Sequence, residues 1–588
     1  MKKVSLIFIV CLLSLIIESS LFSQSVFLPS NHPWHDFIQR MEIKNGESSR
    51  QFHEMIKPLP AKAMVEFLEK TDSTSEHLTK TDQYIIQNIL CQNTEWTKRD
   101  PDSSTISLPW NIYRTPSDFY RTMNEDFFLA INPVINLSYG REKGSDSWNY
   151  QNTRGIEMRG MINQKVGFYS FITDNQARFP VYVNEKINDQ QGAIPGEGWN
   201  IPFGNKGYDF FSARGYITFQ AAKNIGFQFG QDRNFLGSGK RSLLLSDYSQ
   251  NYLFLKVNTQ AGRFHFQNLF ARLVDFPLRT YGGRMYDPKY MAAHTLSIKI
   301  TPQFEVGFFE NVVFGRSDTL SKRNFDLHYL NPIIFYRAAE HHIGDPDKIA
   351  LGTTWRWITP WKMAFYGQIY LDDFHIGDIR NDIDSLLVSL GLRKERKFEN
   401  YASFRNKFGL QAGIQFADFM RIKNLDLRIE ANRVRPFTYS HYATDGSDLR
   451  PASSYSHYSQ ALAHPLGANF GEILLETTWR PHPNLNFQSH FFWAKQGMNQ
   501  DGKNYGQNIL LDYTLREADY GHVFLQGKTR YWMMADVSAS WQIKPDVWID
   551  VNYTLRNEQT QSEQIVDNNS GMFFLGLRVN AVKRNHWF

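Results

Sequence analysis

Cysteine is almost absent from this 588-residue chain, which carries only Cys11 and Cys91. Cys11 lies deep in an apolar N-terminal run and lacks the Leu-x-Ala/Gly-Cys setting of a lipid-modified cysteine. Once that run is removed Cys91 stands alone, which excludes an internal disulfide and a cysteine metal site. No later stretch reaches the roughly 20 apolar residues that a membrane-crossing helix needs. Charge of one sign is also missing, with 64 Lys and Arg against 59 Asp and Glu. So even a balance gives no case for a nucleic-acid partner. Nothing fixes two carboxylates at the separation glycoside chemistry needs, and no Ser-His-Asp setting is found. The chain reads as non-enzymatic, with no cofactor.

The aromatics, at 15 % of the residues, are abundant. The first 23 residues read as a secretory signal: Lys2 and Lys3 precede the apolar run Val4 to Ile17, and Ser19, Ser20 and Ser23 supply small residues for cleavage near Ser23. A retained anchor helix is the competing reading, and the run is short for one. Residues 24–126 form a second region. Met64, Phe67 and Leu68 share a face of one helix starting at Ala61, behind Pro58 and Pro60. Tyr84, Ile85, Asn88 and Ile89 mark another from Thr81 to Glu95, capped by Thr79 or Thr81. This small helical region is expected on the periplasmic side, beside a barrel entrance.

From about Phe127 the period changes to two. Along Leu425–Asn432 the odd positions are apolar and the even ones charged or amide, and Val547–Arg556 and Phe573–Val582 repeat the pattern. Eight short turns separate such strands: 163–165, 223–224, 260–262, 301–303, 359–361, 423–424, 482–484 and 544–546. They recur roughly 40 to 60 residues apart, room for two strands of about ten residues and one long loop. With one strand before the set (about 128–139) and one after it (about 572–582), residues 127–588 make an all-β transmembrane barrel of about 18 antiparallel strands, with both ends periplasmic. The loops near 175–213, 232–250, 274–291, 315–347, 372–406, 434–467 and 496–528 are then extracellular. In a soluble sandwich the same apolar face would be a core. The signal, the turn–loop asymmetry and the terminal Phe588 favour a Gram-negative outer-membrane barrel. Phe588 is also the expected contact for the barrel assembly machinery, and outer-membrane lipid the surrounding partner.

The inward set carries both signs: Lys299, Asp426, Arg428, Glu430, Asp550, Arg556 and Arg578. Such a lining suits a diffusion pore, or a lumen plugged by loops or a helix. Gly230 to Ser246 is the densest loop patch. Its spacing is wrong for a phosphate loop, but Arg233, Lys240 and Arg241 suit an acidic sugar or lipid head group. Two near-repeats, Tyr439-Ser440-His441-Tyr442 and Tyr455-Ser456-His457-Tyr458, offer rings and hydrogen bonds that suit a glycan. They equally suit a loop packed on itself. His341 and His342 beside Glu340, Asp345 and Asp347, and the aspartates 372, 373, 378, 382 and 384, lack a metal-site or EF-hand spacing.

Several stretches carry a resemblance: His32–Ile38, Lys57-Pro58-Leu59, Gly230–Ser246, Leu330–Arg337, Tyr366-Gly367-Gln368 through Asp372-Asp373-Phe374, and Arg433–Tyr439 through His464–Phe470. With these the chain resembles the capsule assembly Wzi family, and within it the gliding-motility RemB group. The resemblance implies an 18-stranded barrel with a periplasmic helical bundle and a lectin-like role in holding surface polysaccharide. For RemB-like members it also implies a part in surface motility. A porin or transport channel, and a protein-binding accessory of motility or secretion machinery, remain the alternatives.

Overall fold

The structure is a computed structural model. It describes residues 26–75, 77–97, 117–275, 287–315, 325, 327–332, 336, 347–373, 377–378, 380–381, 395, 400–442, 451–561 and 566–588. Residues 1–23, expected to be a signal, and His341, His342, Glu340, Asp345, Asp382 and Asp384 lie outside the described residues.

Eighteen antiparallel strands close into one barrel. The first six are β1 (Phe127–Glu142), β2 (Trp148–Ile162), β3 (Val166–Arg178), β4 (Gly207–Ala222), β5 (Ile225–Asp232) and β6 (Tyr252–Ala261). The next six are β7 (Phe264–Asp275), β8 (Asp287–Lys299), β9 (Phe304–Gly315), β10 (Lys348–Thr359), β11 (Met363–Asp373) and β12 (Lys407–Phe416). The last six are β13 (Leu425–Val434), β14 (Phe470–His482), β15 (Leu485–Met498), β16 (Lys528–Lys544), β17 (Val547–Thr560) and β18 (Val566–Val579). Closure joins β18 to β1, with Leu577 opposite Leu137 and Leu575 opposite Tyr139. Alternation assigns the faces as the sequence implies. Val551, Tyr553 and Leu555 on β17 and Phe573, Leu575 and Leu577 on β18 are exposed outward, while Asp550, Thr554 and Arg556 point inward and are buried.

Seven of the eight turns are tight, and four of them take the left-handed backbone that short reversals demand, at Asn163 (φ 48°), Gly262 (φ 58°), Lys362 (φ 55°) and Asp546 (φ 55°). The turn at 423–424 is longer. Strand β12 stops at Phe416, and residues 417–424 include a 3-10 turn at Phe419–Arg421. This excursion carries Asp418 to a partner inside the barrel. A further short connection, 143–147, lies at the long-loop end between β1 and β2.

The N-terminal segment is threaded into the barrel mouth at the short-turn end. Its helices are α1 (Trp34–Asn45), α2 (Ala61–Thr74) and α3 (Lys80–Gln92). Thr79 and Asp82 close a capping box at the start of α3. Helices α1, α2 and α3 share a small core of Phe37, Ile38, Met41, Met64, Leu68, Ile86 and Ile89. The expected helices at Ala61 and Thr81 are present, and α1 is an addition to them. It is buried around most of its circumference, polar Gln39, Arg40, Glu42 and Lys44 included.

Arg40 shows why polar residues can be buried there. It donates to Asp82 of α3 at 3.0 Å, to Asp418 at 2.7 Å, to Asn424 at 3.1 Å, and to Asp426 of β13. Arg356 of β10 pairs with Glu42, and Lys299 of β8 donates to the carbonyls of Ser49 and Phe52. Backbone contacts add to this, with Ser48 donating to the Pro302 carbonyl at 2.7 Å.

The C-terminus departs from expectation. Strand β18 ends at Val579, not near 582, and Asn580 turns the chain inward at φ 48°. Residues 581–588 then run along the lumen. Phe588 is buried against Tyr182 and Tyr248, so it does not close the last strand as an assembly signal would. The physical reason is that the lumen offers the terminal rings apolar and aromatic partners.

Replacing Arg40 by alanine removes the one cation that Asp82, Asp418 and Asp426 share and leaves them to Lys44 and Arg480, a loss of up to about 3 kcal/mol for a broken buried ion network. R40A is expected to make residues 26–97 sensitive to trypsin at temperatures where the wild-type segment resists. The barrel itself should keep its heat-modifiable gel mobility. Unchanged protease resistance would contradict this anchoring.

Candidate functional site

The interior holds three further segments besides the N-terminal helices and the C-terminal run. The β5–β6 connection enters the lumen and pairs with the N-terminal segment, Phe235 opposite Lys57 and Leu236 opposite Ile56. Leu243, Leu244 and Leu245 are fully packed into the central core. The β3–β4 connection contributes α4 (Val181–Asp189), whose Tyr182, Val183 and Ile187 are buried in the same core. The β13–β14 connection folds over this from the long-loop side, and Ser246 donates to the Leu462 carbonyl there.

Each basic residue singled out in the sequence is engaged by a carboxylate. Arg233 pairs with Glu197 at 3.8 Å, Lys240 with Glu476 at 2.8 Å, and Arg241 with Glu472 at 3.2 Å. Arg241 also donates to the Trp587 carbonyl at 2.7 Å. Burial disfavours the Lys240 ammonium, but Glu476 and Asp36 outweigh it and hold its pKa above the ordinary lysine value. The inward strand residues are placed likewise. Arg428 donates to Glu476 at 2.9 Å and to Asp36 at 3.0 Å. Glu430 accepts from the backbone N–H groups of Lys240 and Arg241 and from Tyr366. Asp550 pairs with Arg578 at 2.9 Å, and Arg556 with Glu558 at 2.7 Å.

The Tyr-Ser-His-Tyr repeats are corrected by the structure. Expected as rings offered to a surface ligand, Tyr439 and Tyr455 are fully buried and stacked on one another at 5.8 Å. Their hydroxyls donate to the Leu243 and Leu244 carbonyls at 2.8 and 2.7 Å. His457 accepts from the Val274 N–H at 2.9 Å, and His441 bonds to Ser453 at 2.9 Å. The inserted β5–β6 segment presents carbonyls that need donors, and the repeats supply them. Tyr442 and Tyr458 remain half-buried. Asp372 is taken by Lys348 and by the Tyr439 N–H, and Asp347 accepts from Tyr329.

Cavities remain between these segments. One of about 230 Å³ is bordered by His35, Arg233, Arg241, Lys583, Arg584 and Trp587. A neighbouring one of about 250 Å³ lies toward the short turns, between the N-terminal helices and the wall. Lys583, Asn585 and Trp587 border both, a role no local signal in the sequence announces. At the long-loop end, Trp199 and Tyr520 present exposed rings, and Trp199 follows Gly198, which abuts Tyr458. These were missed because single aromatics in long loops carry no periodicity.

No protein-family model matches the chain, and no curated protein matches it in sequence. Among solved structures it is similar to Wzi, an outer membrane protein involved in group 1 capsule assembly in Escherichia coli and described as a carbohydrate-binding β-barrel. The TM-score is 0.54 at 11 % identity, over 94 % of this chain and 99 % of that one. It also matches the outer membrane protein OprD from Pseudomonas aeruginosa at a TM-score of 0.40 and 8 % identity, over 77 % of this chain and 92 % of that one. Acinetobacter baumannii OccAB2 gives 0.39 and 8 %, over 77 % and 97 %. The first of these likenesses bears on the fold, an 18-stranded outer-membrane type of barrel.

His35 and His457 are buried outside the spanning strands. Burial first, and then Lys57, lowers His35 to about 4. Burial first, and then Lys289, lowers His457 to about 3. Below pH 6.5 the unfolded chain protonates these rings while the folded chain does not. The stability they allow is therefore full above 6.5 and falls as the pH drops toward 4 and 3, by up to about 1.4 kcal/mol per pH unit for each ring. The urea midpoint of the lumenal segments is expected to fall between pH 7 and pH 5, and to fall less in a His35→Gln/His457→Gln variant. Equal falls in the two proteins would refute the assignment.

Proposed function

We propose that this chain is an outer-membrane barrel that holds surface polysaccharide at the long-loop end, as a binding protein with no enzymatic step and with a lumen too full to serve as a diffusion pore. The observation that carries this reading is the filled interior. The wall charges that would line a pore are spent on Asp36, Lys240, Arg241 and the other plug residues. The Wzi-like fold over nearly the whole of both chains supports the same side. Exposed Trp199 and Tyr520, with half-buried Tyr442 and Tyr458, are the proposed contacts, because aromatic faces stack on the apolar faces of sugars.

The test is retention of the producing cell's own polysaccharide on immobilised full-length protein. Trp199→Ala or Tyr458→Ala is expected to weaken retention about tenfold, the worth of one stacked ring at about 1.4 kcal/mol. No retention by the wild-type protein would sink the reading. Steady single-channel conductance in planar bilayers would favour the channel reading instead. A part in surface motility is supported only by the RemB-like motifs, and normal spreading of a deletion strain would remove it.

A further inference from the structure

On the outside of β7, β8 and β9 the apolar alternation of the strands is broken by a polar row. Lys299 and Ser297 of β8 and Glu305 of β9 touch the N-terminal segment, so His294 and Glu310 point outward. Lys256 of β6 lies over Phe27 inside, and its register partner Leu269 faces inward with it, so Asn268 of β7 points outward as well. Asn268, His294 and Glu310 are neighbours in one row of the register. That row lies within the apolar band, with Leu351 beside Glu310 and Phe308 one outward position nearer the short turns, both well exposed. A carboxylate, an imidazole and an amide facing lipid are costly unless they are covered.

They are covered, and all three are buried. The cover comes from described residues of the β9–β10 connection, Phe325, Tyr329 and Tyr336, which lie against the outer wall here. Tyr336 stacks on His294 at 4.1 Å, its hydroxyl meets His294 Nε2 at 2.7 Å, and its N–H donates to Glu310 at 2.8 Å. Tyr329 packs on outward Phe314 at 4.9 Å, and Phe325 on Phe314, Tyr290 and Phe270. On the far side of this cover, Leu327 and Leu330 of the 3-10 turn Leu327–Leu330 are 73 % and 40 % exposed.

We propose that this turn is a lipid-embedded strap: the polar row fastens it to the barrel wall through Tyr336, and Leu327 and Leu330 contact acyl chains of the leaflet at the long-loop end. Lipid is the partner because the exposed leucines continue the exposed apolar surface of Phe308 and Leu351, which the barrel already gives to the membrane. The polar row explains the fastening, since it needs a cover that supplies hydrogen bonds as well as bulk. This inference rests on the transmembrane fold alone and is independent of what the loops bind.

The test places a nitroxide at Leu327→Cys or Leu330→Cys in the full-length chain carrying Cys91→Ser, reconstituted in phosphatidylcholine and phosphatidylglycerol vesicles. Collision with oxygen is compared with collision with an aqueous nickel chelate. Phe308→Cys serves as the lipid reference and Lys503→Cys as the water reference. Both leucine sites are expected to follow Phe308, with oxygen collisions several-fold above those with the chelate. A pattern like that of Lys503 would overturn the proposal, as would protection from both probes, which would mean that protein covers the turn. Leu327 is the more exposed of the two, so its replacement removes little packing and its reading stands even where that of Leu330 is perturbed.

Discussion

The meeting of Arg428 with Asp36 and Glu476 is the contact on which the interior depends. Arg428 is part of the wall on β13, Glu476 is on neighbouring β14, and Asp36 is on α1, 392 residues away in sequence from Arg428. Lys240, from the inserted β5–β6 segment, approaches the same two carboxylates. Wall, helix and loop are therefore tied at one point. Each charge taken from water is compensated only while the other segments stay in place, since a buried charge without its partner is far more costly than the pair. Closing 18 strands creates the space, and the strand period makes its lining polar. The insertions answer both conditions at once.

That arrangement separates the two ends of the molecule. The short-turn end is sealed by ionic contacts between helices and wall: Arg40 with Asp418 and Asp426, and Arg356 with Glu42. The middle is sealed by apolar packing of Leu243, Leu244 and Leu245 against Met291, Phe309 and Tyr370. Toward the long loops polar anchoring returns. Lys289 donates to the Ser454 carbonyl and to Ser456 at 2.9 Å, and Lys348 to the Ser440 carbonyl at 3.0 Å. What the protein offers to the outside is therefore the upper surface of a filled barrel.

The barrel was legible because its code is local. A two-residue period and short turns write the strand count directly, and the inward charges fall where that period puts them. The contents of the lumen were not legible, for a different reason in each case. Helix α1 packs Trp34, Phe37, Ile38 and Met41 on the other helices, but its polar face meets a charged wall instead of water, so Gln39, Arg40 and Glu42 are as buried as Phe37 and Ile38. The turn at 417–424 is long because Asp418 reaches Arg40, a partner nearly 380 residues away. Tyr439 and Tyr455 have the composition of sugar-binding rings, and also that of rings satisfying buried carbonyls. Only the position of Leu243 and Leu244 decides between the two. Phe588 was read from its terminal place, whereas Asn580 and the apolar and aromatic partners inside decide where it goes.

The layering also limits how the interior can move. Swinging the β5–β6 segment out toward the long loops would expose three leucines, each worth about 1.5–3 kcal/mol when buried. It would take the Leu243 and Leu244 carbonyls from the hydroxyls of Tyr439 and Tyr455 as well. It would also leave Glu430 without the backbone N–H groups of Lys240 and Arg241. These losses fall together because one segment supplies all three sets of partners. A pore opened by displacing that segment would have to overcome the apolar layer and the ionic contacts in a single step. Motions confined to residues beyond the lysine anchors disturb neither, so the freedom a ligand could exploit lies above Lys289 and Lys348, in the outer parts of the long loops.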